Sequence, residues 1–263
     1  MSNAMRVAVT GAGGRMGSEV VNAVLEACPE FQLVGAADPA FAGKTVKEAL
    51  GLDSMVIIEE NIESMLKSAQ ADAVVVFSVP SAAMSDIKAA MKAKAVPVVG
   101  TTGITPENLE EIKALAEETG VGAIVAPNFA IGAILMMKFA AEAAKYLPAV
   151  EIIELHHDRK LDAPSGTAVK TAKLITDART EKWAPAAGED APARGGDFDG
   201  VRIHSVRLPG FVAHQEVIFG GLGQSLTIRH DSIDRKSFMP GVLLALRKAD
   251  GLKEMIYGLE NII

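Results

Sequence analysis

The densest run of chemically capable side chains is Glu154-Leu155-His156-His157-Asp158-Arg159-Lys160-Leu161-Asp162-Ala163-Pro164-Ser165-Gly166-Thr167-Ala168. Two of the five histidines stand together there, with an arginine and a lysine close behind. Such a group of cations suits a carboxylated ligand, and a histidine or lysine beside the ligand can deliver a proton to it. Ser165-Gly166-Thr167 falls where a helix opens, so its amides and hydroxyls suit an anion. The plainer alternative is a solvated charged loop. A metal is not expected: adjacent His156 and His157 on a strand point to opposite faces, and no H-E-x-x-H spacing is present. His204, His214 and His230 fall in other strand-like runs and read as core or surface histidines.

A second constellation is Gly11-Ala12-Gly13-Gly14-Arg15-Met16-Gly17, between an apolar run and a helical pattern. Glycines there let the backbone turn sharply and approach a pyrophosphate at the helix start. The spacing is one residue longer than the common dinucleotide fingerprint. Asp38 lies 21 positions after Gly17, at the end of the next apolar run, where a carboxylate accepts bonds from a ribose diol. Asp38 disfavours a 2′-phosphate, whereas Arg15 and Lys44 offset that repulsion, so NADH and NADPH both stay open. Gly100-Thr101-Thr102-Gly103 and Ala126-Pro127-Asn128-Phe129 each follow a later apolar run, at the edge where open α/β sheets bind ligands. Either segment also reads as an ordinary turn. No G-x-x-x-x-G-K-[ST] phosphate loop occurs, which disfavours ATP chemistry. Cys28, expected at the end of the first helix as a packed or inert thiol, argues against an acylating thiolate enzyme.

These residues need elements to hold them. Apolar runs at Arg6–Thr10, Gln32–Asp38, Ala73–Val79, Val96–Thr102 and Gly122–Ala126 predict strands, with helices between them, such as one over Ser81–Lys94. Thr105 as N-cap, Pro106 behind it and Gly120 as terminator bracket another helix. Apolar strands separated by helices indicate a parallel sheet covered on both faces. After a helix near Ile134–Tyr146 the pattern changes: a strand at Glu151–His157, a helix from Ser165 to about Ala178, and a long loop over Trp183–Gly200. Val201–Leu208, His214–Phe219 and Gln224–His230 then follow as strands without helices, implying an antiparallel or mixed sheet. A helix near Phe238–Ala249 and a short tail close the chain. The expected fold is α/β: a Rossmann-like doubly wound parallel sheet over residues 5–128, with a C-terminal helix at 236–263 packing back on it. A second α+β domain with an open mixed sheet is expected over 129–235, for substrate binding and oligomerisation.

The composition bounds the partners. In 263 residues, 33 acids against 26 bases give a net charge of −7, which argues against nucleic acid, since phosphate neutralisation needs a basic stripe. One cysteine excludes an intrachain disulfide framework and fits a reducing cytoplasm. The apolar stretch Ala130–Met137 is too short to span a bilayer, so no membrane is expected. The first residues lack the basic start and apolar core of a targeting signal. Ser2-Asn3-Ala4 ahead of Met5 reads as a cloning remnant, with the natural start expected at Met5.

Taken together, Val9–Gly17, Gly100–Gly103, the Glu154–Lys160 run and Asp162–Ala168 resemble the dihydrodipicolinate reductase family, now described as 4-hydroxy-tetrahydrodipicolinate reductases of lysine and diaminopimelate biosynthesis. The resemblance extends over the whole chain from Met5, including Arg207–Glu216. It implies hydride transfer from NADH or NADPH to a small cyclic dicarboxylate. It further implies His156 as acid/base, Lys160 as proton donor, and His157, Gly166 and Thr167 as carboxylate-binding residues. The cofactor is implied at Gly11, Ala12, Gly13, Gly14, Arg15, Met16, Asp38, Gly100, Thr101, Thr102, Ala126, Pro127, Asn128 and Phe129. Pro39 is a departure, because some relatives carry there an arginine that grips a 2′-phosphate. A homotetramer built through the second domain's sheet is implied as well. Another two-domain nicotinamide oxidoreductase would share the first domain without needing the 156–168 block. A non-catalytic dinucleotide sensor would need no proton donors.

Overall fold

A computed structural model describes residues 4–181, 183 and 191–263. Part of the expected loop over Trp183–Gly200, and Ser2-Asn3 of the expected remnant, lie outside the described residues. The chain forms two compact units, one from the chain up to Phe129 together with Phe238–Ile263, the other from Ala130–Ser237.

The first unit holds strands β1 (Met5–Thr10), β2 (Phe31–Ala37), β3 (Ile58–Glu59), β4 (Ala73–Val76), β5 (Val96–Val99) and β6 (Ala123–Val125), alternating with helices α1 (Gly17–Glu26), α2 (Val46–Leu50), α3 (Ile62–Ser68), α4 (Pro80–Lys92) and α5 (Pro106–Thr119). β4, β5 and β6 are buried at every residue, as parallel strands covered on both faces must be. α5 begins and ends as its punctuation predicts: Thr105 and Asn108 form a capping box, Pro106 is the first helical residue, and Gly120 closes it at φ 68°.

In the second unit, α6 (Ile131–Ala144) precedes β7 (Ala149–His156), and α7 (Gly166–Ala178) precedes β8 (Gly196–Phe198), β9 (Val201–Arg207), β10 (Ala213–Gly221) and β11 (Gln224–Ser232). The sheet order is β11-β10-β7-β9-β8, with β7 parallel to β9 and the other pairs antiparallel. The sheet is therefore mixed, as expected. Val150 and Ile152 of β7, Val201 and Ile203 of β9, and Val217 and Phe219 of β10 are buried on one face, which α6 and α7 cover.

The C-terminal segment returns to the first unit as α8 (Met239–Ala249), which packs on α1 and β5, followed by β12 (Met255–Tyr257). Arg247 pairs with Glu30 through Nε–Oε1 at 2.7 Å and Nη2–Oε2 at 2.8 Å. The first sheet is parallel throughout, in the order β12-β6-β5-β4-β1-β2-β3. Strand order reverses at β1, so the crevice outside its carboxyl end is the binding position of such sheets.

Four expectations need correction. Residues 236–263 are not one helix, because Met255–Tyr257 pairs in parallel with β6 and completes the sheet edge. The expected loop contains a strand at Gly196–Phe198, antiparallel to β9. Cys28 is exposed rather than packed. The strands at Ala73 and Val96 also end at Val76 and Val99, leaving Phe77–Val79 and Gly100–Thr102 as loop at the sheet's carboxyl edge.

Candidate active site

The polar run of the second unit is organised around a carboxylate. Alternation along β7 places Val150, Ile152 and Glu154 on the covered face, and Glu154 is fully buried where an apolar residue would be the default. Register sets His156 opposite Arg207 and Glu154 opposite Ser205 on β9. Each Glu154 oxygen takes two donors. Oε1 accepts from Arg207 Nη2 at 2.7 Å and from the Ser165 amide at 3.2 Å. Oε2 accepts from Arg207 Nη1 at 2.9 Å and lies 2.5 Å from His156 Nδ1. Burial alone would raise this carboxyl, but hydrogen bonds from His156, Arg207 and Ser205 outweigh it and hold the pKa at about 2. Glu154 is thus an ionised, buried anchor.

The same arginine ties down the loop between β7 and α7. Arg207 Nη2 also donates to the Asp162 carbonyl at 2.7 Å. Lys160 Nζ pairs with the Asp162 carboxylate at 2.7 and 2.8 Å, and the ammonium lowers that carboxyl's pKa. Ser165 is the N-cap of α7, accepting from the Ala168 amide at 3.2 Å. Gly166 is exposed at the helix start, and Thr167 stands beside it. His157 carries a buried Nδ1 with no hydrogen-bond partner. Burial and the charges of Arg159, His156 and Lys160, against Asp158, push its imidazole down from the usual range. His156, Lys160, His157, Gly166 and Thr167 therefore belong to one short segment of the second unit, braced by a single Glu154–Arg207 pair.

In the first unit, Thr10, Gly11, Gly14, Asp38, Pro39, Asn61, Phe77, Ser78, Val79 and Asp86 help line a pocket of about 410 Å³. Gly11 has φ 69°, and a Cβ on it would meet the Phe77 carbonyl oxygen at 2.5 Å; one on Gly17 would meet the Gly11 oxygen at 1.9 Å. This turn accepts only glycine at those two positions. Asp38 accepts from the Gly13 amide at 3.0 Å and the Ala40 amide at 2.9 Å. It therefore caps the turn and still has a lone pair on each oxygen. Ala12 is fully buried under the turn, Met16 is the residue before α1 and makes no side-chain cap, and Arg15 is exposed.

Farther along the sheet edge, Thr101 Oγ1 donates to the Ser78 carbonyl at 2.9 Å, so that hydroxyl straps two strand ends together. Gly100 packs against the Phe77 ring, and Thr102 is exposed. Ala126 and Phe129 are buried, the latter with its ring 6.0 Å from that of Phe77, while Pro127 is exposed and Asn128 half-buried. These segments offer mainly backbone to a ligand.

Sequence reasoning missed Glu154, Asp162, Arg207 and Asp86 as working parts. Glu154 was detectable as a charge in the buried phase of β7. Asp86 was detectable as an acid on the buried stripe of α4, among Ala83, Ile87 and Ala90. Arg207 and Asp162 had no local signal, because Glu154 and Asp162 lie 53 and 45 residues from Arg207.

Two family models match the chain: dihydrodipicolinate reductase, N-terminus, over residues 5–129, and its C-terminus, over residues 132–263. The 4-hydroxy-tetrahydrodipicolinate reductase of Desulfitobacterium hafniense strain DSM 10664 / DCB-2 is 53% identical, covering 98% of each chain. That of Listeria innocua is 52% identical over 98% of this chain and 100% of its own. The dipicolinate-bound dihydrodipicolinate reductase from Paenisporosarcina sp. TG-14 superposes with a TM-score of 0.85 at 44% identity, over 99% and 100% of the two chains. An amine dehydrogenase from Mycobacterium smegmatis, at 15% identity and TM-score 0.70 over 97% and 95%, shares the fold. The chain belongs to the dihydrodipicolinate reductase family.

Proposed function

We propose that the protein reduces 4-hydroxy-tetrahydrodipicolinate to tetrahydrodipicolinate with NADH or NADPH, as a cytoplasmic step of lysine and diaminopimelate biosynthesis. The observation that carries this reading is the 156–167 segment, where two histidines, a lysine and a helix N-terminus are braced around buried Glu154, in a chain 53% identical to a named reductase.

The first unit fits a dinucleotide. The glycine-only turn at Gly11 and Gly17 opens onto the start of α1, and the neighbouring pocket holds Asp38 together with the Thr10 and Ser78 hydroxyls, which face Asp86. Residues Gly11–Met16 would hold the pyrophosphate, and Asp38 the adenosine ribose. Backbone at Gly100–Thr102 and Ala126–Phe129 would support the nicotinamide. When bound, the reduced nicotinamide supplies the hydride. Asp38 followed by Pro39 favours NADH, because a 2′-phosphate would face the Asp38 carboxylate without the arginine that some relatives carry at position 39, leaving Arg15 and Lys44 to offset the repulsion.

On the substrate side, His157 and the Gly166 and Thr167 amides bind the ring carboxylates. These groups draw electron density from the ring as hydride arrives. Lys160 Nζ delivers the proton that neutralises the charge left behind, exchanging Asp162 for the substrate as partner. His156 serves as acid/base for the proton movements that accompany loss of water. The substrate thereby gains one hydride and one proton and loses one water. A homotetramer assembled through the second unit's sheet is the inferred assembly, supported by Leu222 and Leu226, which are exposed at and beside edge strand β11.

The test is the initial rate of reduced-nicotinamide oxidation with freshly condensed pyruvate and aspartate semialdehyde. Enzyme-dependent oxidation, faster with NADH, is expected. Cofactor binding without oxidation would contradict the reductase reading and favour a sensor.

A further inference from the structure

Three described histidines sit on carboxylates. His214 bonds Asp231 Oδ1 through Nδ1 at 2.6 Å and accepts the Val212 amide on Nε2 at 3.3 Å, so both its nitrogens are spent. His204 meets Glu151 through Nε2 at 2.8 Å, and Glu151 is shared with Arg194. His156 meets Glu154 through Nδ1, and its Nε2 makes no hydrogen bond with another described residue. His156 is thus anchored on one side and open on the other.

We propose that Glu154 is a positioning residue that fixes the working tautomer of His156, holding the proton on Nδ1 and making Nε2 the only nitrogen that exchanges protons with a ligand. A carboxylate accepts and cannot donate, so the 2.5 Å contact requires hydrogen on Nδ1. Glu154 has no freedom to swing away. It also accepts from two Arg207 nitrogens and the Ser165 amide, with the Ser205 hydroxyl adding to them, from β9 and from the start of α7. Donors in fixed directions on both oxygens set the rotamer of the carboxylate and the plane in which the imidazole must lie. The ionised state follows from the same contacts, which hold the carboxyl far below neutral pH. Arg207 adds the link to turnover. By also binding the Asp162 carbonyl it sets the register between His156 and the Lys160–Asp162 pair, so the two proton-carrying groups are braced by one guanidinium.

The catalytic part of this inference rests on the assignment of His156 as acid/base; the tautomer part does not. The experiment therefore has two readouts. In ¹⁵N-histidine-labelled protein above the titration range, with His156 identified by its loss in His156→Ala, Nδ1 is expected protonated and Nε2 bare. A ring protonated on Nε2 in the wild type would overturn the proposal without any variant having to fold. In folded Glu154→Gln the ring is expected to become a mixture of tautomers. Its kcat is expected to fall by about 10²-fold, the lower end of the loss for a positioned acid/base. KM for the dicarboxylate should stay within about threefold, and Glu154→Asp should recover part of the rate. Unchanged kcat in Glu154→Gln, with an active wild type, would overturn the positioning role. A wild type that oxidises no cofactor overturns the reductase reading instead, and the ring spectrum then still decides the tautomer.

Discussion

At the residue scale, the site depends on which polar groups are satisfied. Among the described residues Lys160 pairs with the half-exposed Asp162 carboxylate, a type of contact worth little in stability, so its ammonium can change partner cheaply. Lys160→Ala and His156→Ala are each expected to lower kcat by about 10²–10⁴, with the thermal midpoint of Lys160→Ala near the wild type and that of His156→Ala lowered by the donor lost to buried Glu154. Turnover close to wild type in both would refute their assigned roles. Asp86 presents the opposite case. Burial raises its pKa, the nearby Ser78 and Thr10 hydroxyls only partly oppose this, and the charge of Glu63 adds to it. The folded state therefore holds this proton more tightly than the unfolded chain, and stability declines as pH rises above about 3.8 through the raised folded value. Asp86→Asn is expected to flatten that slope and raise the thermal midpoint at neutral pH. An unaltered profile of midpoint against pH would argue against a buried charge there.

At the element scale, β7 and α7 are coupled through Glu154, and two substitutions separate the coupling from local helix stability. Arg207→Met leaves Glu154 buried without its counter-ion and is expected to cost about 3–5 kcal/mol by urea unfolding. Ser165→Ala removes one N-cap and is expected to cost about 1 kcal/mol. Equal losses would mean that the Glu154–Arg207 pair is not the brace. On the other unit, Gly17→Ala drives a Cβ to within 1.9 Å of the Gly11 oxygen and is expected to abolish cofactor binding, read by fluorescence titration with NADH. Much of this was legible in the sequence. α5 announced itself through Thr105, Pro106 and Gly120, and the parallel strands through unbroken apolar runs. Gly196–Phe198 and Met255–Tyr257 were not legible, because three residues are too few for a period and their pairing is decided by distant strands. The polar block at 154–168 was legible as a cluster, yet its brace was not. Glu154 gains its meaning from Arg207, and only the β7–β9 register reveals that pair.

At the scale of the whole molecule, carboxylates and histidines set the acid limit. Glu154 titrates at about 2 when folded against 4.5 for an unperturbed glutamate, so its contribution is complete above about pH 4.5 and is lost as pH falls toward 2. His157 and His230, both lowered by burial, add destabilisation in the same direction as pH falls below about 6.5. Urea midpoints are therefore expected to drop on acidification from pH 7 to 3, less steeply in Glu154→Gln. The inferred assembly is expected to give a light-scattering mass four times the 27.5 kDa chain. Among the described residues no helix is long and apolar enough to cross a membrane. Reduction requires that hydride pass from the nicotinamide to the dicarboxylate ring. Its most direct test is the mass of the product formed with nicotinamide dideuterated at C4. Tetrahydrodipicolinate carrying one deuterium per turnover is expected. Unlabelled product, or labelled cofactor left unoxidised in the presence of fresh substrate, would contradict it.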